Sequence, residues 1–411
     1  MIAIRVLPYL LAAGATAQPL LTPQQAVETA LRSHPLLSAA GARTTAAGAF
    51  VMQSGLRPNP RLFIQTENWR PYGTPGFSPN HDLDIYAFVT QPVETAGKRE
   101  RRMELAKAGL HRTELEREVI ARQIALRVRQ AYWNAAAAEK LHRLLIENAG
   151  TLQQMVDYHA YRVSEGAMAE ADLVKVQIER ERLDVSIHTA ALDAERARVA
   201  LFREMGQTTY PAVTLVDLPE ETSAGVSVVD LAAATARRPE IQLARQLVEQ
   251  ARANLTLQRA NAKPDVDLVT GYKRTAGFNT WLGGLQFNLP FSNRNQGSIA
   301  AAEAEMHAAE FELASLEAGV AAEVRTAEAD VRARADQLTR LFGAGAGTGL
   351  RGKAAASSRI ALAAYQEGGT DLLRLLDAQR VQIDLQVLYY RTLADYRQSV
   401  IALEAALGVN P

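Results

Sequence analysis

The chain has 411 residues, 48% of them hydrophobic, with 45 Lys and Arg set against 45 Asp and Glu. A net charge of zero argues against nucleic acid as a partner, since such binding leaves a basic footprint. The absence of cysteine excludes disulfides, thiolate chemistry and Cys-ligated metal sites.

Arg5, the apolar run Val6 to Ala13 and the small-x-small sequence Ala15-Thr16-Ala17 read as a secretory signal over residues 1–17. No later stretch reaches the roughly 18 apolar residues of a spanning helix. If the exported chain enters a membrane, it therefore does so with strands.

Thr22-Pro23 is a helix start, with Thr at the cap and Pro at the first position. Ala26, Val27, Ala30 and Leu31 continue it, and His34-Pro35 opens a second, Ala-rich run to about Gln53. Ser54 to Pro60 breaks this pattern. Arg61 to Trp69 reads as a strand, with Leu62, Ile64 and Thr66 on one face and Gln65 and Glu67 on the other. Arg70 to His81 is turn chemistry and predicts a hairpin loop. Asp82 to Thr90 is the return strand, with Leu83, Ile85, Ala87 and Val89 facing away from Asp82, Asp84, Tyr86 and Thr90. The predicted β-hairpin spans 61–92.

Pro92 and Gly97 turn the chain into a helical pattern with no Pro from Lys98 to Asn148, about 50 residues and on the order of 75 Å of helix. It runs on to about Tyr161. Arg162 to Met168 is a tight tip in which Gly166 takes positive φ without steric cost. A helix with Glu-Arg spacings such as Glu179 and Arg182 returns from Ala169 to about Met205. The first unit thus covers 18–210, with a long helical hairpin at 98–205. A connector at 211–227 holds a strand-like piece, Val213 to Val216.

The same order then recurs over 228–411. Val229 to Arg237 and Pro239 to Ala260 read as helices. Strands at Asp265 to Tyr272 and Thr280 to Leu289 flank a Lys273 to Asn279 loop, a β-hairpin at 265–290. A turn at Pro290 to Gly297 leads into a long helical hairpin at 298–407, with Tyr365 to Thr370 as its tip. Pro60 and Pro264 lie 204 residues apart, Pro92 and Pro290 198, and Glu165 and Glu367 202. Whole elements matching in order at a nearly fixed offset indicate a tandem duplication.

Leu341 to Lys353 departs from the helical pattern. Gly343, Gly345, Gly347, Gly349 and Gly352 each cost about 1 kcal/mol relative to Ala in a helix interior, so a break is expected between Arg340 and Ser357. Gly347, Gly352 and Lys353 match part of a phosphate loop. Ala354 stands where the magnesium-binding hydroxyl belongs, and helix rather than strand precedes it. No cofactor and no enzymatic activity are expected. The seven histidines form no i, i+4 pair and no cluster with carboxylates, so no metal site is expected either.

Four strands of about nine residues are long enough to cross a bilayer when tilted. Four cannot close a barrel, and open edges are not tolerated in lipid. Three copies supply twelve strands. Ala131 and Ala135 to Ala138 suit close packing of helices into a hollow cylinder. The alternative is a periplasmic coiled-coil adaptor or scaffold that never enters the membrane.

Three stretches carry a resemblance: Gln91 to Arg99 (QPVETAGKR), Leu289 to Ile299 (LPFSNRNQGSI) and Tyr365 to Arg380 (YQEGGTDLLRLLDAQR). They resemble the outer-membrane efflux protein (TolC-like) family and, within it, the heavy-metal CzcC-type branch. The resemblance implies a mainly α fold with a small membrane β-barrel. It implies a homotrimer whose twelve-stranded outer-membrane barrel continues into a long periplasmic α-barrel. It implies passive conduction of substrate from a periplasmic adaptor and an inner-membrane RND-type pump. The two tips, Arg162, Glu165, Gly166 and Ala167 with Glu367, Gly368, Gly369 and Thr370, are then the expected adaptor-docking surface. Asp172, Asp371, Arg374 and Asp377 are candidate pore or gate residues.

Overall fold

The computed structural model describes residues 19–70, 76–220, 236–343 and 349–409. The signal at 1–17 and most of the helix expected at Val229 to Arg237 lie outside them. In chain order the elements are β1 (Leu20–Leu21), α1 (Pro23–Ser33), α2 (Pro35–Ser54), β2 (Arg61–Glu67), α3 (Pro79–Asp82), β3 (Asp84–Val93), α4 (Lys98–Ser164) and α5 (Glu170–Glu204). They continue with β4 (Thr214–Leu215), α6 (Pro239–Asn261), β5 (Val266–Thr275), β6 (Phe278–Phe287), α7 (Gln296–Phe342), α8 (Gly349–Gln366) and α9 (Leu372–Ala406).

Local chemistry sets the starts. Thr22 and Gln25 form a reciprocal capping box at α1. His34 caps α2, its Nδ1 accepting from the Leu36 N–H at 3.1 Å. Burial and Arg127 hold its imidazole below the usual histidine range, with Glu204 opposing them.

The four longer strands form one antiparallel sheet in the order β2-β3-β5-β6. Two details differ from the sequence expectation. Asp82 is not in the return strand: it closes the one-turn α3, where its carboxylate accepts from the Ser78 N–H at 2.7 Å. The second hairpin has no Lys273 to Asn279 loop. Ala276 and Gly277 alone turn the chain, at φ of 49° and 81°, the doubly left-handed geometry of the tightest hairpins. Lys273, Arg274 and Thr275 are strand residues whose polarity imitates a loop.

α4 is a single helix of 67 residues, about 100 Å long. Its counterpart is split into α7 and α8, of 47 and 18 residues. The break follows the glycines, with Gly343 and Gly349 at φ of 77° and 72°. A Cβ on Gly349 would overlap the Phe342 carbonyl, so α8 resumes beside the point where α7 stops. The repeat offset grows from 198 at Pro92/Pro290 to 202 at Glu165/Glu367. Four extra residues are thus taken up without lengthening the helix. Arg351, just after the break, stacks on Tyr389 at 4.3 Å and pairs with Glu220 at 3.6 Å.

The core is three clusters strung along the helices. One joins α1, α2, the end of α5 and the middle of α4 through Ala26, Ile124, Tyr132, Leu201 and Phe202. The Tyr132 hydroxyl donates to Leu21 O at 2.7 Å and accepts from Val216 N at 2.9 Å. It thereby holds β1 against β4, its parallel partner. A second cluster lies among α6, α7 and α9 around Val320, Leu393 and Tyr396, and a third lies near the tips around Leu152, Val176 and Leu375. Ala135 and Ala136 fall in the first cluster and Ala137 in the second, so these small residues of α4 are packed into the core between helices.

Candidate channel wall and helical tips

The sheet register sorts its residues into two faces. One carries Leu62, Ile64, Ile85, Ala87, Val89, Leu268, Trp281 and Leu285. Ile85 and Ala87 are half-buried, and the others are large apolar groups with little cover; Leu62 is 67% exposed and Trp281 81%. The other face carries most of the charges, while Arg274, opposite Ile85 near the turn, stands on the first. Arg61 pairs with Asp267 at 3.0 Å, the Tyr86 hydroxyl donates to Glu67 at 3.4 Å, and Lys273 lies 5.6 Å over the Tyr86 ring. Asp84 accepts from Asn68 Nδ2 and from the Ala276 N–H, both at 3.0 Å. The Phe63 and Phe88 rings are nearly parallel, 6.2 Å apart, and the Phe88 ring occupies the space a side chain at Gly271 would need. β2 and β6 each pair on one side only within the chain.

The stretch 91–99 is the joint between sheet and helix. Ala96 and Gly97 are both left-handed, at φ of 54° and 68°, and reverse the backbone into α4. Lys98 reaches Asp265 at 2.7 Å, and Thr95 donates to the same carboxylate from its N–H and to Pro264 O from its hydroxyl. Glu94 receives Arg102, while Arg99 donates to Gly55 O at the end of α2. In the second copy Asn295 takes the left-handed position, at φ 59°, and its amide donates to Gln258 O and Oε1. The motif is visible in the sequence. The roles of Lys98, Thr95 and Asp265 are not, because their partners come from the other repeat.

Both tips are built alike. Gly166 at φ 68° donates to Val163 O while Ala167 donates to Arg162 O; Gly368 at φ 76° donates to Tyr365 O while Gly369 donates to Ala364 O. This paired pattern satisfies the last carbonyls of α4 and α8 and needs a left-handed residue at the reversal. No atom lies within 4 Å of a Cβ built on either glycine, so both turns face open space. Glu165 and Glu367 stand at the ends of these helices with their backbone N–H groups bonded back into the last turn. Thr370 precedes Asp371, which caps α9 by accepting from the Arg374 N–H at 2.8 Å. Asp172 pairs with Lys175 at 3.0 Å. Arg374 and Asp377 line a groove between α5 and α9 with Ile178, Leu373 and Arg380, and Arg380 closes onto Glu179. Among the described residues Arg162 and Arg374 form no ion pair, and no cluster of three or more His, Asp or Glu able to hold a metal occurs. No described helix is long and apolar enough to cross a membrane.

A four-stranded sheet with one oily and one polar face, continued by long helices of which α4 reaches about 100 Å, is the arrangement of a strand-anchored channel protein. The sequence profile of the outer membrane efflux protein family matches residues 26–207 and 231–409, and the chain belongs to that family. It is an outer-membrane efflux channel protein with a long periplasmic helical extension. The cobalt-zinc-cadmium resistance protein CzcC of Cupriavidus metallidurans is 22% identical over 397 residues, 94% of this chain and 90% of the relative. The nickel and cobalt resistance protein CnrC of the same organism is 27% identical over 324 residues, 78% of this chain and 75% of the relative. Among solved structures, the outer-membrane channel OprN superimposes with a TM-score of 0.77 at 20% identity, covering 95% of this chain and 91% of that one.

Proposed function

We propose that three copies join their sheets, β2 of one against β6 of the next, into a twelve-stranded barrel. On this reading the helices continue the barrel as a periplasmic α-barrel, and the duct is passive. Its tips, with Gly166 and Gly368 outermost, receive a periplasmic adaptor that connects it to an inner-membrane RND-type pump. Similarity to CzcC and CnrC supports heavy-metal cations as the cargo. Asp172 and Asp377 add carboxylates near the tips, and rings of such groups favour cations.

The sheet carries this reading. Its oily face suits lipid, its charged face suits a water-filled lumen, and its two open edges need partners. A periplasmic scaffold would leave Leu62, Ile64, Trp281 and Leu285 in water for no return. Detergent-extracted protein should run as a trimer by light scattering. A monodisperse monomer with intact strand content would overturn the proposal.

A further inference from the structure

α2 has the composition of a buried helix but lies on the surface of the chain. Of its 20 residues only Arg43 is charged, and a helix that is apolar all round belongs inside a structure. Yet only Leu37 and Ala40 are buried, where α2 lies along α4. The rest of its surface presents Leu36 at 50% exposure, Phe50 at 69% and Met52 at 73%. Leu36, Arg43 and Phe50 follow one another at heptad spacing, so they share one line down the helix. α7 also has an uncovered side. Glu303, Glu310 and Glu317 pair with Arg259, Arg252 and Arg245 at 3.6, 3.3 and 3.0 Å and hold α7 on α6. Glu305 and Glu312 stand about 200° further around the helix, so they face away from α6. Both are exposed, and Phe311 beside them is 76% exposed. Among the described residues neither these two glutamates nor Arg43 has an ion-pair partner.

The topology brings these two faces together. α2 ends at Ser54 and runs into the edge strand β2, while the opposite edge strand β6 runs into α7 from Gln296. Joining β2 of one copy to β6 of the next therefore sets α2 beside the neighbour's α7, antiparallel to it. Measured from the sheet end of each helix, Arg43 lies about 17 Å down α2, and Glu305 and Glu312 lie about 14 and 24 Å down α7. We propose that α2 of one copy packs along α7 of the next, and that Arg43, set between Glu305 and Glu312, is the ionic contact that fixes the register of this seam. The proposal rests on the joined barrel described above and adds a second interface below the sheet. A lone charge in an apolar stripe penalises every register that leaves it unpaired. The occupant is another copy of this chain, because its own α7 carries the unpaired acids that the unpaired base on α2 lacks, at the matching depth.

The chain has no cysteine, so Ala46→Cys and Ala308→Cys, both at exposed positions, can be joined only to each other. A short bismaleimide added to the extracted double variant should give covalent dimers and trimers on a denaturing gel. Either single variant should stay monomeric on that gel. Arg43→Glu should destabilise the trimer, read as loss of the trimer peak in light scattering after mild heating. Glu305→Arg with Glu312→Arg in the same chain should restore the peak. All three side chains are exposed within one copy, so these changes leave its own fold intact. Light scattering of the wild type reads the joined barrel by itself. A wild-type trimer whose double-cysteine variant does not cross-link, or a charge reversal that the glutamate changes do not rescue, would overturn the seam while the barrel stands. The apolar side of α2 would then be left for the adaptor to cover. A wild-type monomer would overturn both.

Discussion

Lys98 Nζ lies 2.7 Å from Asp265 Oδ1, and the lysine side chain is only 9% exposed against 40% for the aspartate. The pair ties the first residue of α4 to the start of the second hairpin, so each repeat fixes the other where sheet becomes helix. Removing the acid and removing the base are not equivalent. Asp265→Ala leaves a buried ammonium without its counter-ion and strips the acceptor from Thr95 N as well. The expected loss is about 3 kcal/mol. Lys98→Met keeps the apolar stem and leaves a carboxylate that is already wet, for an expected loss of about 1 kcal/mol. Thermal melting of extracted trimers checks the order, and equal losses would contradict the account.

Stability should also depend on pH through His34. Its folded-state value is lowered by burial and Arg127, so the native state resists the proton that the unfolded chain accepts. The contribution is complete above the unfolded value of about 6.5 and is lost as pH falls below it. Protonation also removes the Nδ1 acceptor for the Leu36 N–H. His34→Asn supplies a cap oxygen that does not titrate. Its melting temperature should fall less between pH 7.5 and 5.5 than that of the wild type. Parallel declines in both proteins would assign the effect elsewhere.

The capped helices and the alternating strands were legible because each rests on a local pattern. The helix break was legible too, since the glycine penalty is local. The two-residue turn at Ala276-Gly277 was not, because Ala replaces the Asn or Asp that usually marks such a turn and Lys273 to Thr275 look like loop. Long-range polar partners were out of reach for a different reason. His159 Nε2 to the Tyr365 hydroxyl at 2.7 Å, Lys98 to Asp265 and Arg238 to Glu323 at 2.6 Å each join residues far apart in the chain. His159 gave no sign because a lone histidine on a helix carries no spacing signal. Asp371 illustrates the converse: its position before α9 marks a cap as strongly as a pore group, and the structure shows the capping bond.

Orientation follows from both hairpin turns lying at the end of the sheet away from α4 and α7. If the helices are periplasmic, the turns face outside the cell. A cysteine at Ser78 or at Phe278 should react with an impermeant thiol reagent on whole cells, and one at Glu165 or Glu367 should not. Phe278 is chosen over Gly277 because Gly277 has a φ of 81°, where a cysteine would be strained. Equal labelling of the two sets would refute the topology.

The tips offer the sharpest functional test, because the structure separates their folding role from their surface role. Gly166 and Gly368 are needed for left-handed backbone, and a non-glycine residue there costs roughly 1–2 kcal/mol. Asparagine tolerates that conformation better than most residues and adds little bulk. Space is not the constraint, since nothing lies within 4 Å of either built Cβ. Gly166→Asn should therefore preserve both the turn and export. Gly166→Trp carries a somewhat larger backbone penalty and also fills the open surface where a partner helix would lie. Trimers should still assemble in the outer membrane, while resistance and cross-linking to the adaptor are lost. The same pair of substitutions at Gly368 tests the second tip independently, since the two turns come from different repeats. Should the tryptophan variants export as well as the asparagine ones, the glycines serve the reversals alone, and the adaptor must bind along the sides of α5 and α9.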